Sequence, residues 1–240
     1  MTENAMRDVK AVVLAGGLGT RLRSVVSSKP KVLASIGERS FLELLVRQLR
    51  SQGVRQVVMC TGYLSEQIES QFGDGGNWDV SIEYSKEEVP LGTAGAIKLA
   101  QSHLGETSEF LVLNGDSFLE IDFRGLIEFH RSHHGAIASM AVLRVPDAGR
   151  YGTVHVDATG RVSGFTEKTG SAAPGLVNGG VYVFTQAVLQ SIPEGPASLE
   201  RDVFPRVLDQ GIYAREQNGI FIDIGTPADY ARAQELLRFA

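Results

Sequence analysis

Residues 9 to 22 read VKAVVLAGGLGTRL, and this stretch decides the fold prediction. Its first part, Val9 to Gly17, is a continuous apolar run that ends in glycines, which is typical of a buried parallel strand. A glycine-rich loop directly after such a strand can present backbone N–H groups to phosphate oxygens. The loop is not a dinucleotide-binding fingerprint, because Leu22 stands at the third glycine position, and no Gly-Lys-Ser/Thr of a P-loop follows. The alternative is a plain glycine-rich turn, which the cations at Arg21 and Lys31 disfavour.

The composition is that of an ordinary globular protein with an acidic balance. The chain has 240 residues and a net charge of −5, which disfavours a broad nucleic-acid-binding face. Its apolar runs fall far short of the ~20 residues of a membrane span, and its first residues lack the apolar core of a signal peptide. The single cysteine, Cys60, excludes an intrachain disulfide and a cysteine-based zinc site. We therefore expect a cytoplasmic protein that binds neither nucleic acid nor membrane.

Strand and helix patterns alternate along the chain. In the first half, strands are expected at 9–17, 55–60, 80–84 and 110–113, and helices at 41–52, 63–72 and 93–102. A more antiparallel half follows, with helices at 123–133, 199–208 and 226–239, strands at 137–145 and 177–184, and hairpins at 152–165 and 212–224. Asn218-Gly219 is expected to form a type I′ turn in the second hairpin. We predict an α/β fold with a Rossmann-like mixed sheet in three α/β/α layers, as one domain (1–240) with halves 1–120 and 121–240.

Six motifs, spread over nearly the whole chain, carry a family resemblance. They are GGLGTRL with PK (16–22, 30–31), LGTAGA (91–96), NGD (114–116), EK (167–168), NGG (178–180) and FIDIGTP (221–227). Together they resemble the sugar-1-phosphate nucleotidyltransferases, and most of all the D-glycero-α-D-manno-heptose 1-phosphate guanylyltransferases. The resemblance implies a GT-A-like fold with an antiparallel sugar-binding C-terminal half. It also implies Mg²⁺-dependent transfer of GMP from GTP to a heptose 1-phosphate, for surface polysaccharide synthesis.

The chemistry of such a transfer accounts for the cations. The phosphate nucleophile is already largely ionised near neutral pH, so catalysis is positioning plus neutralisation of negative charge. The planar fork of Arg21 suits the β- and γ-phosphate oxygens of the triphosphate. By resemblance, Lys31 is the catalytic lysine between the reacting phosphates, and Lys168 holds the sugar phosphate. Lys29 is the nearby alternative to Lys31 and has the pattern of a solvated loop lysine.

Two carboxylates are the candidate metal ligands. Asp116 follows the strand at 110–113, and Asp223 lies in an apolar run where a charge needs a partner. Both stand at strand ends, and two carboxylates suit a Mg²⁺ that bridges substrate phosphates. The alternatives are a hairpin turn at Asn114-Gly115 and a loop cap or an arginine partner for Asp223.

The base and the sugar need separate residues. The expected nucleotide-binding residues are Leu14, Ala15, Gly16, Gly17, Gly19, Thr20, Arg21, Glu87, Gly92, Thr93, Gly95 and Asn114. Glu87 is the candidate reader of guanine N1–H and N2–H₂, although uracil N3–H would also serve. The expected sugar-phosphate-binding residues are Tyr151, Gly152, Glu167, Lys168, Asn178 and Gly179. The chain departs from the heptose enzymes at Val89, where they have an acidic residue, and at Ala94, where some have glycine.

Several alternatives stay open. Within the family they are a mannose-1-phosphate guanylyltransferase and a uridylyl-, thymidylyl- or cytidylyltransferase. From another class comes a catalytically silent, nucleotide-sugar-sensing regulatory subunit, which would usually have lost part of its charged set. The apolar stripe at 41–49 fits either the core or a homodimer contact. His130, His133 and His134 lie at a helix end, which favours such groups, and are not expected to bind metal. Cys60 is expected to pack rather than to react.

Overall fold

A seven-stranded sheet joins strands from both halves of the chain. The computed structural model describes residues 6–22, 25–26, 28–168, 170 and 172–238. The strands of this sheet are β1 (Lys10–Leu14), β4 (Gln56–Thr61), β5 (Ser81–Lys86), β6 (Glu109–Asn114), β8 (Ala138–Val145), β11 (Gly175–Thr185) and β12 (Ile212–Gln217). Their order across the sheet is β12-β8-β11-β6-β1-β4-β5.

Three antiparallel strand pairs lie outside this sheet. They are β2 (Ser35–Ile36) with β3 (Arg39–Ser40), β7 (Ser117–Leu119) with β13 (Phe221–Asp223), and β9 (Thr153–Val156) with β10 (Val162–Thr166). The last pair is the hairpin expected between 152 and 165. The second pair joins residues about a hundred positions apart in sequence, and it places the end of β13 beside the start of β7.

The helices cover both faces of the sheet. They are α1 (Phe41–Ser51), α2 (Ser65–Phe72), α3 (Gly92–Leu99), α4 (Gln101–Leu104), α5 (Phe123–Ser132), α6 (Gln186–Ser191), α7 (Phe204–Val207) and α8 (Pro227–Leu236). Side chains alternate between the faces of a strand, so Val13 of β1 belongs to the core formed with α1, α2, α5 and α8, whereas Val12 belongs to the core formed with α3, α6 and α7. The three-layer α/β/α prediction is confirmed.

The sheet is mixed, as the sequence predicts. Strands β6, β1, β4 and β5 are parallel, because helical crossovers connect them. Strand β11 runs antiparallel to both β6 and β8, and β12 is parallel to β8. The carboxyl ends of β1 and β6 are adjacent, with Leu14 opposite Asn114. Asn114-Gly115 therefore ends a central parallel strand, and the hairpin alternative for it is excluded.

The expected second hairpin over 212–224 is wrong. Strand β12 pairs with β8 and β13 pairs with β7, so the two segments belong to different sheets. Gly219 does not have the positive φ that a type I′ turn demands. A Cβ at Gly219 would lie 2.0 Å from the carbonyl oxygen of Glu120, the residue that follows β7. Only glycine allows the two backbones to come this close.

The helix expected at 199–208 also differs. It begins as a π-helix at Leu199–Val203, continues as α7 and ends as a 3₁₀ turn at Leu208–Gln210. Pro205 lacks the N–H that would continue the α-helical ladder, which explains the change of helix type. Ser40 and Thr226 cap their helices, as these residue types commonly do: Ser40 accepts from the Glu43 N–H and Thr226 from the Asp229 N–H. Within the described residues, no helix has the length and apolar character needed to cross a membrane.

Candidate active site

A cleft of about 480 Å³ opens at the carboxyl ends of β1, β4 and β6. In open α/β sheets, ligands bind at this edge. The predicted residues that line the cleft are Leu14, Gly16, Gly17, Gly19, Thr20, Glu87, Gly92, Thr93, Asn114, Asp116 and Asp223. The structure thus brings together residues from four of the six motifs in one cavity.

The glycine-rich loop forms one wall of this cleft and folds back onto the segment of Lys31. The start of the loop is held against the sheet, because the Ala15 N–H donates to the Cys60 carbonyl of β4 at 2.8 Å. Further on, a Cβ at Gly19 would lie only 2.8 Å from the Cβ of Lys31. Gly17 is exposed and faces open space. The backbone N–H groups of the loop and the Lys31 side chain therefore lie at the same site.

Lys31 forms an ion pair with Asp116. Its Nζ lies 2.5 Å from Asp116 Oδ2, and the exposed fractions of the two side chains are 12% and 34%. The 3₁₀ turn that begins at Lys31 follows Pro30, whose fixed φ sets the direction of the chain. A largely buried ammonium beside a carboxylate gives this end of the cleft one positive and one negative charge in close contact.

Asp223 lies on the other side of Asp116. In the β13–β7 pair Asp223 is opposite Ser117, and the Ile224 N–H donates to the Asp116 carbonyl at 3.0 Å. The Asp223 carboxylate accepts a short hydrogen bond from the Gly225 N–H. Burial raises the pKa of Asp223, the nearby charge of Asp116 raises it further, and Lys31 opposes the shift. The two carboxylates predicted as metal ligands are thus electrostatically coupled neighbours.

The two carboxylates fit a Mg²⁺ ion. The charge of Asp116 helps to raise the pKa of Asp223, and a cation beside the two carboxylates would relieve this repulsion. Mg²⁺ is usually bound by one or two carboxylates together with substrate phosphates and water. Across the described residues, no group of three or more His, Cys, Asp or Glu side chains could hold a metal by itself. The protein would therefore share the ion with a phosphate ligand.

We expect the contribution of Asp223 to the stability of the metal-free protein to become less favourable as the pH rises above 3.8, the ordinary pKa of Asp223, until its raised folded-state pKa is passed. The sign follows from proton binding: over this range the folded state keeps a proton that the unfolded state has lost, so raising the pH favours unfolding. Asp223→Asn should remove this contribution and be at least as stable as the metal-free parent at pH 7. Thermal unfolding of both proteins in chelator, from pH 4 to 7, measures the difference. Parallel curves for the two proteins would contradict it.

Arg21 lies at the rim rather than in the wall of the cleft. Its side chain is exposed, in the 3₁₀ turn Thr20–Leu22. A Cβ at Gly225 would lie 3.5 Å from Arg21 Nη2 and 2.6 Å from Asp223 Oδ1. Arg21 is therefore close to the carboxylate pair, and its guanidinium can meet the end of a phosphate chain that enters the cleft.

Glu87 closes the opposite end of the cleft. Its Oε2 accepts a hydrogen bond from the Leu91 N–H at 2.9 Å. Its Oε1 lies 2.7 Å from where a Cβ would stand on Gly16, so the carboxylate packs against the glycine-rich loop. Burial raises the pKa of Glu87. Its neighbour Glu88 is exposed, as expected. Gly95 does not line the cleft: a Cβ there would lie 2.6 Å from the carbonyl oxygen of Gly195, so it serves close helix packing.

The residues expected to bind the sugar lie in two groups. Gly152 has φ +78°, and a Cβ there would lie 2.9 Å from the Thr166 carbonyl oxygen, which places Gly152 beside Glu167 and Lys168. Gly152 and Glu167 line a second cavity, of about 340 Å³. Tyr151 instead lines a third cavity, of about 420 Å³. Its ring packs against Phe221, with 5.8 Å between ring centroids.

Asn178 and Gly179 lie in an irregular part of β11. The register with β8 shifts between Asn178 and Tyr182. The Asn178 side chain spans this bulge: its Oδ1 accepts from the Gly180 N–H at 3.0 Å, and its Nδ2 donates to the Tyr182 hydroxyl at 2.7 Å. Gly179 is buried against Leu119 and Leu143. The structure therefore gives Asn178 two internal hydrogen bonds that the sequence did not predict.

The comparisons with known proteins agree with this geometry. The family model described as "Nucleotidyl transferase" matches residues 10–238. The chain belongs to the nucleotidyl transferase family. The family resemblance drawn from the six motifs is thereby confirmed.

Three relatives of this chain are informative. It is 40% identical over 233 residues to a D-glycero-α-D-manno-heptose 1-phosphate guanylyltransferase of Aneurinibacillus thermoaerophilus, covering 96% of this chain and 99% of that protein. It is 38% identical to a mannose-1-phosphate guanylyltransferase of Mycobacterium tuberculosis, over 95% of this chain and 64% of the relative. The third is the crystal structure of HddC from Yersinia pseudotuberculosis complexed with GMP-PN, which matches with a TM-score of 0.85 at 33% identity, over 95% of this chain and 99% of that one.

The lengths of the relatives differ. The chain spans about 60% of the mannose-1-phosphate guanylyltransferase of Drosophila pseudoobscura pseudoobscura, and it is 36% identical to that protein over 92% of the chain. It spans nearly all of the heptose-1-phosphate relative and of HddC. The longer relatives therefore extend beyond the region that they share with this chain.

Four residues that line the cleft were not predicted: Leu18, Cys60, Pro90 and Ala96. Leu18 lies inside the glycine-rich motif, and Cys60 lies at the carboxyl end of β4, so position alone could have indicated both. The Cys60 thiol is buried and its pKa is raised to about 12, mainly by burial. A thiol with such a pKa stays protonated near neutral pH, so Cys60 contributes an apolar patch rather than a nucleophile.

Proposed function

We propose that this protein is a sugar-1-phosphate guanylyltransferase that transfers GMP from GTP to D-glycero-α-D-manno-heptose 1-phosphate. The observation that carries the proposal is the cluster of Lys31, Asp116 and Asp223 beside the glycine-rich loop. The choice of guanine and of heptose is supported by the heptose-1-phosphate relative of nearly equal length. A GDP-heptose would be the activated donor for surface polysaccharide synthesis.

The reaction needs no protein nucleophile. An oxygen of the sugar 1-phosphate attacks the α-phosphorus of GTP and forms a new P–O bond. The bond from the α-phosphorus to the bridging oxygen breaks, and pyrophosphate leaves with the electron pair. Negative charge accumulates on the α-phosphate and on the leaving group, so the barrier depends on cations that are already in place.

The chain supplies these cations at defined positions. The loop N–H groups at 16–20 face the triphosphate, and Arg21 at the rim binds its β- and γ-phosphates. Lys31, fixed by Asp116, contacts the reacting phosphates. Asp116 and Asp223 would hold the Mg²⁺, which neutralises phosphate charge when it is bound. Lys168, exposed on the loop after β10, is free to turn toward the sugar phosphate.

Glu87→Gln should weaken selection of GTP. The amide keeps one oxygen for the Leu91 N–H, but replaces an acceptor by a donor that faces the donors of guanine. The resulting unpaired groups should raise KM for GTP about 10- to 100-fold, with KM for the sugar phosphate unchanged. Steady-state kinetics with Glu88→Gln as the matched control measure this. If the two variants have equal KM values for GTP, Glu87 does not take part in base recognition and only fixes the loop.

The second candidate is a mannose-1-phosphate guanylyltransferase, favoured by relatives of that name at 36–38% identity. It requires the same cleft and differs in the sugar alone. A silent regulatory subunit is disfavoured, because all five charged residues, Arg21, Lys31, Asp116, Lys168 and Asp223, are present. The cytoplasmic location and a possible homodimer stay predictions.

Pyrophosphate release tests the function. The panel crosses GTP, UTP, CTP, dTTP and ATP with heptose, mannose and glucose 1-phosphates in the presence of Mg²⁺. Turnover confined to GTP and the heptose phosphate is expected. Turnover with GTP and mannose 1-phosphate alone would select the second candidate. If no pair reacts while GTP still binds, the regulatory alternative replaces both.

A further inference from the structure

The loop between β8 and β9, residues 147–152, carries Tyr151 and Gly152 and is called the sugar loop here. It is a compact turn: the N–H groups of Tyr151 and Gly152 both donate to the Ala148 carbonyl, at 3.0 and 3.2 Å. The Ala148 N–H in turn donates to the Ala173 carbonyl at 2.8 Å. These bonds fix the shape of the loop but not its distance from the carboxylate pair.

One ion pair connects the sugar loop to helix α8. Arg150 Nη2 lies 2.7 Å from Asp229 Oδ2, and the exposed fractions of the two side chains are 52% and 8%. Asp229 also accepts from the Thr226 hydroxyl at 2.6 Å, at the start of α8. Thr226 follows Asp223 by three residues. The pair therefore joins the sugar loop to the segment that continues from the second carboxylate.

A ring contact forms a second connection between the sugar loop and the segment around Asp223. The Arg150 guanidinium stands 5.7 Å from the centroid of the Tyr151 ring. Tyr151 packs edge-on against Phe221, which precedes Asp223 by two residues on β13. The sugar loop is thus attached to both ends of the short segment 221–229 that contains Asp223.

We propose that the Arg150–Asp229 pair positions the sugar loop relative to Asp223 and so sets the affinity for the sugar 1-phosphate. The proposal rests on the proposed function, because it takes Gly152 and its neighbours as part of the sugar site. Arg150 itself is a positioning residue: its guanidinium is occupied by Asp229 and Tyr151 rather than directed into the cleft. The Asp229 carboxylate is nearly buried, so removal of Arg150 would leave a desolvated charge with only its Thr226 contacts.

Arg150→Gln is the direct test, with Arg144→Gln as the matched control. Arg144 lines the same 420 Å³ cavity and pairs with Glu216 through two bonds of 3.0 Å, but this pair joins β8 to β12 and does not touch α8. Because a small displacement of a substrate-positioning group has a large effect on binding and rate, KM for the sugar 1-phosphate should rise about tenfold or more in Arg150→Gln. KM for GTP should change less than twofold, and Arg144→Gln should match the parent in both constants.

Two further measurements separate positioning from general stability. Arg150→Lys keeps a cation, so its KM for the sugar phosphate should lie close to the parent value rather than to the raised value of Arg150→Gln. Hydrogen–deuterium exchange at Tyr151 and Gly152 should accelerate in Arg150→Gln and not in Arg144→Gln. A parallel rise of both KM values, or unchanged exchange in the sugar loop, would overturn the proposal. If the parent protein is inert with every sugar, the proposed function is contradicted. Exchange does not depend on turnover, so the exchange rates of the two variants still decide whether Arg150 fixes the sugar loop.

Discussion

Lys31→Ala is expected to lower turnover about 10²- to 10³-fold while binding of GTP weakens far less. The lysine is 12% exposed and is directed by its 2.5 Å contact with Asp116, so its charge is already in place before substrates bind. A cation that is fixed in advance stabilises the charge that develops in the transition state more than the charge present in the bound substrate. The loss should therefore appear in kcat and not in the affinity for the nucleotide.

Lys29→Ala is the matched control, because Lys29 is an exposed lysine two residues earlier. It should leave both kcat and GTP affinity within twofold of the parent. Single-turnover rates with saturating substrates, together with the equilibrium Kd for GTP, separate the two effects in each variant. If Lys31→Ala loses equal factors in rate and affinity, Lys31 is a nucleotide-binding group only.

Asp116→Asn and Asp223→Asn should each lower Mg²⁺-dependent turnover by about 10³-fold, because shared metal coordination contributes several kcal/mol to phosphate charge stabilisation. Asparagine keeps an oxygen that can accept from the Gly225 N–H, so the loop after β13 should retain its shape in Asp223→Asn. Affinity for Mn²⁺ in the presence of GTP, measured by electron paramagnetic resonance, should fall in parallel with the rate.

Asp209→Asn is a suitable control for this pair, since Asp209 is exposed in a 3₁₀ turn of the C-terminal half. It should change neither rate nor Mn²⁺ affinity. Retained turnover in both Asp116→Asn and Asp223→Asn would remove the two carboxylates from the metal site. Loss of turnover with undiminished Mn²⁺ affinity would also contradict the assignment, because the ion would then be held elsewhere.

Much of the fold could be predicted from local patterns. The run at 9–17 showed a buried strand followed by an anion-binding loop, and the carboxyl ends of parallel strands meet at one edge of the sheet. This rule alone places Leu14 and Asn114 together, as the structure does. N-caps such as Ser40 and Thr226 were also visible, because the side chain that caps a helix lies within three residues of the bond it makes.

Other features depend on contacts between distant segments, which a single sequence does not show. The sequence suggested a local hairpin at Asn218-Gly219, but β13 pairs with β7 instead. Gly219 then packs against Glu120, the residue that follows β7. The use of the Asn178 amide within the β11 bulge was hidden for a similar reason, since it requires the positions of Gly180 and Tyr182. The motif identified Asn178, but the geometry shows what its side chain contacts.

Helix α8 also fixes the segment that follows Lys31. The Tyr230 hydroxyl donates to the Ser35 carbonyl at 2.6 Å, across 195 residues of sequence, and the Gly37 N–H donates to Gln234 Oε1 at 3.1 Å. Contacts of such long sequence separation form late, because much of the chain must be ordered before they are made. During synthesis on the ribosome, the segment with Lys31 emerges well before helix α8, yet it gains these partners only after residue 234 has been added. A ribosome-bound chain that lacks α8 therefore has the phosphate-binding loop but not the complete support of its lysine.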